Sequence, residues 1–196
     1  MKNILLTSLL VSAFVLGNAQ PVIFPTGLQV GDKAPAITGI DNTGKAFNLE
    51  KQLKRGDVVV IFYRGYWCPF CNAELGRLND SLAMIIAKGA SVVAISPETL
   101  ENVAKTVTKT KASFPIISDS SLTIMKAYNV NFAVDENTQI RYKKFNIDFL
   151  ETNGSNGANL PVPATYIIGK NGKIKYVFFN TDYKKRASVQ DILDHL

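Results

Sequence analysis

The residues with the clearest chemical potential are Cys68 and Cys71, the only two cysteines of the chain, which close the run Phe62-Tyr63-Arg64-Gly65-Tyr66-Trp67-Cys68-Pro69-Phe70-Cys71. They follow the β-branched stretch Val58-Val59-Val60-Ile61 and precede a helical pattern. A strand that ends in CxxC and opens a helix sets a sulfur near unpaired helix N–H groups, whose partial positive charge favours thiolate over thiol. Thiolate is the reactive form, so redox chemistry is the leading reading of the pair. Two blander readings are weaker. A purely structural Cys68–Cys71 bridge closes a very small loop, worth about 2 kcal/mol on a chain-entropy model. A zinc site takes four Cys/His ligands, and the chain offers two cysteines and the single His195 near its end. Neither a metal nor a cofactor is expected.

The elements around the pair read as alternating strands and helices. Gly31-Asp32-Lys33-Ala34-Pro35 marks a turn, Ile37 to Ile40 a short strand, and Asp41-Asn42-Thr43-Gly44 a hairpin turn. Val58 to Phe62 is apolar throughout, as a central strand buried on both faces requires. Leu75, Leu78, Leu82 and Ile85 or Ile86 recur at three- and four-residue spacing, which predicts one helix from Pro69 or Phe70 to Lys88, ended by Gly89. Ser91 to Ile95 is the next strand, Thr99 to Lys109 a helix, Ile116-Ile117 a short strand, and Ser121 to Tyr128 a helix. Residues 133–160 show no clear period. Ala164 to Ile168 and Ile174 to Phe179 flank Gly169-Lys170-Asn171-Gly172, a hairpin with an Asn-Gly turn, and a last helix covers Ser188 to Leu196. This order predicts an α/β fold with a central mixed sheet flanked by helices and preceded by an N-terminal β-hairpin extension.

Composition bounds the setting. At 196 residues and 46% hydrophobic content the chain suits one globular domain, expected over 20–196. Residues 1–19 read as a signal peptide: Lys2 supplies the positive start, Ile4 to Leu16 an apolar core, and Gly17-Asn18-Ala19 a small-residue cleavage site. Cleavage after Ala19 would release a chain with no membrane anchor into a bacterial periplasm or the exterior, where disulfides persist. The formal charge of +6 falls to +5 without Lys2. The basic residues are scattered and no aromatic-interleaved platform appears, so nucleic-acid binding is not expected.

These features together resemble the thioredoxin fold and, more narrowly, the alkyl hydroperoxide reductase/thiol-specific antioxidant family, the peroxiredoxins. The resemblance runs from about Leu28 to Leu196 and is carried by Gly31-Asp32-Lys33-Ala34-Pro35, the segment from Phe62 to Leu75, Leu160-Pro161-Val162-Pro163-Ala164-Thr165-Tyr166, and Asp182-Tyr183 followed by Arg186. Laid on the peroxiredoxin Pro-x-x-x-Thr-x-x-Cys pattern, the attacking sulfur falls at Cys71, with Cys68 in place of Thr and Arg64 in place of Pro. Peroxiredoxins also carry a helper Arg near the strand that starts at Ala164, where this chain has Pro163. Thioredoxin-like reductases instead attack with the first cysteine, which selects Cys68, and set a cis-proline against the pair, which Pro163 would supply.

The resemblance implies a thiol-dependent peroxidase. Thiolate attack on a hydroperoxide leaves a sulfenic acid, the second cysteine condenses with it to a Cys68–Cys71 disulfide, and an external dithiol such as a thioredoxin-like protein restores the pair. Helix-start N–H groups and a guanidinium are the expected donors to the developing oxygen charge, with Arg64 the first candidate and Arg186 the second. Trp67 reads as a docking surface for a redox partner or as plain packing. Pro69 needs no role beyond starting a helix. Glu74 reads as serving the helix dipole rather than as a proton relay, and His195 as an exposed terminal residue. Two alternatives stand beside the peroxidase: a periplasmic thiol-disulfide oxidoreductase acting on protein disulfides, and a non-enzymatic binding module with an inert disulfide.

Overall fold

The computed structural model describes residues 24–196. The expected leader and its cleavage site lie outside the described residues. The extension before the main sheet is the hairpin β1 (Thr38–Ile40) and β2 (Ala46–Asn48), joined through Asp41, whose carboxylate accepts from the Thr43 and Lys45 amides at 2.8 and 3.0 Å. A short helix α1 (Leu49–Leu53), capped by Asn48, leads into β3 (Val58–Phe62).

β3 is the centre of a five-stranded mixed sheet. It pairs in parallel with β4 (Ser91–Ser96), which pairs in parallel with β5 (Ile116–Ser118). On its other side it runs antiparallel to β8 (Ala164–Ile168), which pairs with β9 (Ile174–Phe179) as the expected hairpin, giving the order β5-β4-β3-β8-β9. All five β3 residues are buried, and they divide by the two-residue strand period. Val58, Val60 and Phe62 pack on one face with Tyr128 and Tyr166, while Val59 and Ile61 pack on the other with Leu75, Leu78 and Ile85. Both cysteines belong to this second face.

The long helix expected from Pro69 or Phe70 to Lys88 is two helices, α2 (Pro69–Asp80) and α3 (Leu82–Ala87). The break falls at Ser81, with φ −100° and ψ 6°. Asn79-Asp80-Ser81 are weak helix formers whose polar side chains compete with the backbone, and Asn79 uses its carbonyl oxygen to accept from the Ser113 amide and hydroxyl at 2.9 and 2.8 Å. The apolar spacing continues across the break, so periodicity alone reads through it. Next come α4 (Leu100–Thr110), capped by Thr99, and α5 (Thr123–Ala127).

Residues 133–160 contain more structure than their lack of period suggests: α6 (Glu136–Lys143), α7 (Phe149–Asn153) and a 3-10 turn, bracketed by the antiparallel pair β6 (Asn131–Ala133) and β7 (Asn159–Pro161). Helix α6 buries none of its residues and so carries no apolar stripe to read. Its start is set by Asp135, which accepts from the Thr138 amide at 2.9 Å, as Asp148 does for α7. The chain ends in α8 (Val189–Asp194), whose Ser188 and Asp191 form a reciprocal capping box. Among the described residues no helix is long and apolar enough to cross a membrane.

Candidate functional site

The site is built where β3 ends and α2 begins. Beyond Tyr63, whose amide still donates to the Ile95 carbonyl at 3.1 Å, the chain leaves the sheet through Arg64-Gly65-Tyr66-Trp67. Gly65 has φ +153°, and a β-carbon there would stand 2.6 Å from the Trp67 indole nitrogen and 3.0 Å from a Glu98 carboxylate oxygen. Glu98 is fully buried under this loop: it accepts from the Tyr66 amide at 2.7 Å and from the Ser96 and Thr106 hydroxyls, each at 3.2 Å. Asn72 and Lys109 donate to the Tyr66 carbonyl from the other side, at 2.8 and 3.2 Å. The loop before the cysteines is therefore pinned at both backbone groups of one residue. Glu98 escaped sequence reasoning because nothing in Ser96-Pro97-Glu98-Thr99 distinguishes a buried acid from a helix-flanking one.

Cys68 stands at the N-cap of α2 and Pro69 takes the first helical position, where a missing N–H costs nothing. Both cysteines are free thiols, 1% and 0% exposed. Their acidities are driven apart. A hydrogen bond from the Cys71 thiol brings Cys68 down from 9.0 to about 6, against the opposing effect of burial, and the Arg64 charge and the Cys71 amide add to the lowering. Burial pushes Cys71 well above its ordinary value, and its hydrogen bond and charge contact with Cys68 push the same way.

The two expected guanidiniums occupy different places. Arg186, from the segment before α8, donates through Nη2 to Cys71 Sγ at 3.4 Å and through Nε to Glu74 at 2.7 Å. Its remaining nitrogen donates to the Tyr183 and Lys185 carbonyls. Glu74 is thus not an exposed first-turn acid. It faces inward on α2, 4% exposed, and burial raises its carboxyl from 4.5 to about 8 although the Arg186 charge pulls it down. The Arg64 guanidinium makes no direct hydrogen bond to either sulfur, although the Arg64 backbone amide donates toward Cys71. The guanidinium donates to the Tyr142 hydroxyl and lies against the rings of Tyr183, Trp67 and Tyr142, with centroid distances of 4.4, 4.9 and 5.4 Å. Trp67 is half-buried and packs edge-on against Tyr142 and Phe149.

Pro163 precedes β8 and lines a groove of about 690 Å³ together with Arg64 and Pro69. Its peptide bond is trans, as every bond among the described residues is, which corrects the cis expectation. The trans form is the lower in energy for an X-Pro bond, and cis forms are a small minority. His195 stays on the exposed end of α8, with its ring 4.4 Å from that of Tyr176 and Nδ1 2.7 Å from the Asp191 carbonyl.

Known proteins agree with this architecture. The model of the AhpC/TSA family matches residues 30–177. The thiol-disulfide oxidoreductase ResA of Geobacillus thermodenitrificans is 26% identical over 172 residues, 87% of this chain and 78% of that protein. The chloroplastic peroxiredoxin Q of Oryza sativa subsp. japonica is 28% identical over 150 residues, 76% of this chain and 58% of that protein. Among solved structures, the peroxidoxin BcpB of Mycobacterium tuberculosis superposes with a TM-score of 0.66 at 22% identity, covering 86% of this chain and 96% of that one. A peroxiredoxin-like protein of Aquifex aeolicus gives 0.65 at 19% identity, covering 88% of each chain. At these identities the solved structures establish the shared thioredoxin-like fold. The family match spans most of the chain, including the cysteine pair: this protein belongs to the AhpC/TSA family and is a thiol-dependent oxidoreductase.

Proposed function

We propose that the chain is a thiol-dependent peroxidase in which Cys68 attacks and Cys71 resolves. Burial of both sulfurs, 1% and 0% exposed, carries the choice of a small peroxide, and the opposite displacement of the two thiols, with Cys68 brought down to about 6 and Cys71 pushed well above its ordinary value, carries the choice of Cys68 as the attacker. At neutral pH Cys68 is then the thiolate and Cys71 the proton carrier. The Cys68 thiolate attacks the near oxygen of ROOH, the O–O bond breaks, and the leaving alkoxide takes a proton to become ROH while Cys68 becomes a sulfenic acid. The Cys71 sulfur then attacks the sulfenic sulfur, its own proton and the departing hydroxide leave as water, and the Cys68–Cys71 disulfide forms. An external dithiol, such as a thioredoxin-like protein, reduces that disulfide and is itself oxidised.

Burial of both sulfurs favours a substrate as small as a hydroperoxide group over a protein disulfide. The guanidinium on Cys71 is supplied by Arg186, from a part of the chain remote from Pro163, where the family's helper Arg is replaced. Arg64 adds its charge to Cys68. The second reading, a thiol-disulfide oxidoreductase acting on protein disulfides, draws on the ResA relative, which spans more of this chain than the peroxiredoxin Q does. Export to the periplasm is part of the proposal and rests on the leader pattern of residues 1–19.

Stopped-flow oxidation of the reduced protein by hydrogen peroxide and by an organic hydroperoxide separates the readings. A rate constant well above that of free thiol supports the peroxidase. A peroxide reaction no faster than free thiol, with insulin disulfides reduced at a thioredoxin-like rate, replaces it by the second reading. In single variants, Cys71→Ser should accumulate a dimedone-trappable sulfenic acid after peroxide and Cys68→Ser should not. The reverse pattern would reassign the nucleophile to Cys71.

A further inference from the structure

The groove beside the cysteines contains a cation that no carboxylate pairs with among the described residues. Arg64 is 5% exposed, forms no ion pair among the described residues, and its Nε has no hydrogen-bond partner. A buried guanidinium without a carboxylate partner is costly, and the Cys68 charge and the three aromatic rings around it offset only part of that cost. Arg64 opens onto the groove of about 690 Å³, whose walls include Phe132, Leu160 and Pro163 and whose rim carries Phe145, 76% exposed. A second cation, Arg141, also lines the groove, and its Nη2 donates to the Thr138 hydroxyl at 2.6 Å. The one acid there, Asp135, is committed to capping α6 through the Thr138 amide.

An apolar trough with an excess of positive charge, whose buried cation lacks a carboxylate partner, is complementary to a molecule with an apolar tail and one anionic head. The geometry points to a binding site for a long-chain carboxylate in this groove, with its head group on Arg64 and its tail against Phe132, Leu160 and Phe145. Because Arg64 also acts on Cys68 and Pro69 forms part of the groove wall, occupancy would change the reactivity of Cys68. The site stands beside the peroxidase reading and does not need it, since a plain carboxylic acid carries no O–O bond.

The test is calorimetric titration of the reduced protein with dodecanoate below its micellar concentration, with dodecanol as the uncharged partner of equal length. Dodecanoate should bind at least tenfold more tightly than dodecanol, and its saturation should slow alkylation of Cys68 by iodoacetamide at least threefold. Arg64→Gln should bring dodecanoate down to the level of dodecanol. Phe145→Asp, at an exposed position, should weaken dodecanoate severalfold while the circular dichroism spectrum stays unchanged, which keeps the test decisive if Arg64→Gln fails to fold. No binding of dodecanoate, equal binding of acid and alcohol, or dodecanoate binding unaffected by Phe145→Asp would overturn the site. Peroxide kinetics are a separate measurement, so failure of either reading leaves the other intact.

Discussion

At the scale of residues, one α-helical turn holds two thiols that titrate in opposite directions, and each direction has a consequence. Cys68, brought to about 6 chiefly by the Cys71 thiol, is mostly ionised at pH 7. Its alkylation rate should rise with pH about a midpoint near 6 and level off by about pH 8, where an ordinary cysteine is still rising toward its value of about 8.5. Alkylation followed by mass spectrometry over pH 4 to 9 checks this, and a midpoint near that of free cysteine would remove the basis for Cys68 as nucleophile. Glu74 is displaced the other way, from 4.5 to about 8, by burial. The folded chain binds that proton more tightly than the unfolded chain. Its contribution to stability is therefore complete below about pH 4.5 and is lost as pH rises through about 8. The unfolding free energy of the wild type relative to Glu74→Gln should fall across that window by at most about 1.4 kcal/mol per pH unit. Urea denaturation at pH 4, 6 and 8 measures the difference, and parallel profiles would contradict the assignment.

At the scale of elements, the loop from Arg64 to Trp67 is the part whose geometry is least replaceable. Gly65→Ala forces a side chain into a positive-φ position already filled by Trp67 and Glu98. It should cost about 1–3 kcal/mol in unfolding free energy and slow Cys68 alkylation at pH 7, because Tyr66 can no longer sit on Glu98. Denaturation and alkylation of the same preparation check both effects. Much at this scale was legible beforehand. β3, β4 and the β8–β9 hairpin have continuous apolar runs bounded by turn residues, and the structure places them where those runs predict. The elements that were missed lack such a signal. Helix α6 has no buried stripe, and the break between α2 and α3 depends on Asn79 reaching Ser113, a contact that spacing cannot reveal.

At the scale of the whole molecule, the proposed leader would determine where the chemistry takes place. Intact-mass analysis of protein recovered from the periplasm should find a chain that begins at Gln20, a chain there that retains Met1 would contradict cleavage after Ala19, and absence of the chain from the periplasm would contradict the export proposal. The sequence by itself determined the fold class and the redox pair. Strand and helix periods, an Asn-Gly turn and a CxxC between a buried strand and a helix are local patterns, set by backbone geometry and by side chains a few residues apart. Only the tertiary structure decided how the two sulfurs differ. Arg186 reaches Cys71 across 115 residues of sequence, Glu98 rises under Tyr66 from the bend after β4, and Arg64 is boxed by rings from three segments. Acidity depends on burial and on charges within a few ångströms, and those distances exist only once the chain has closed on itself.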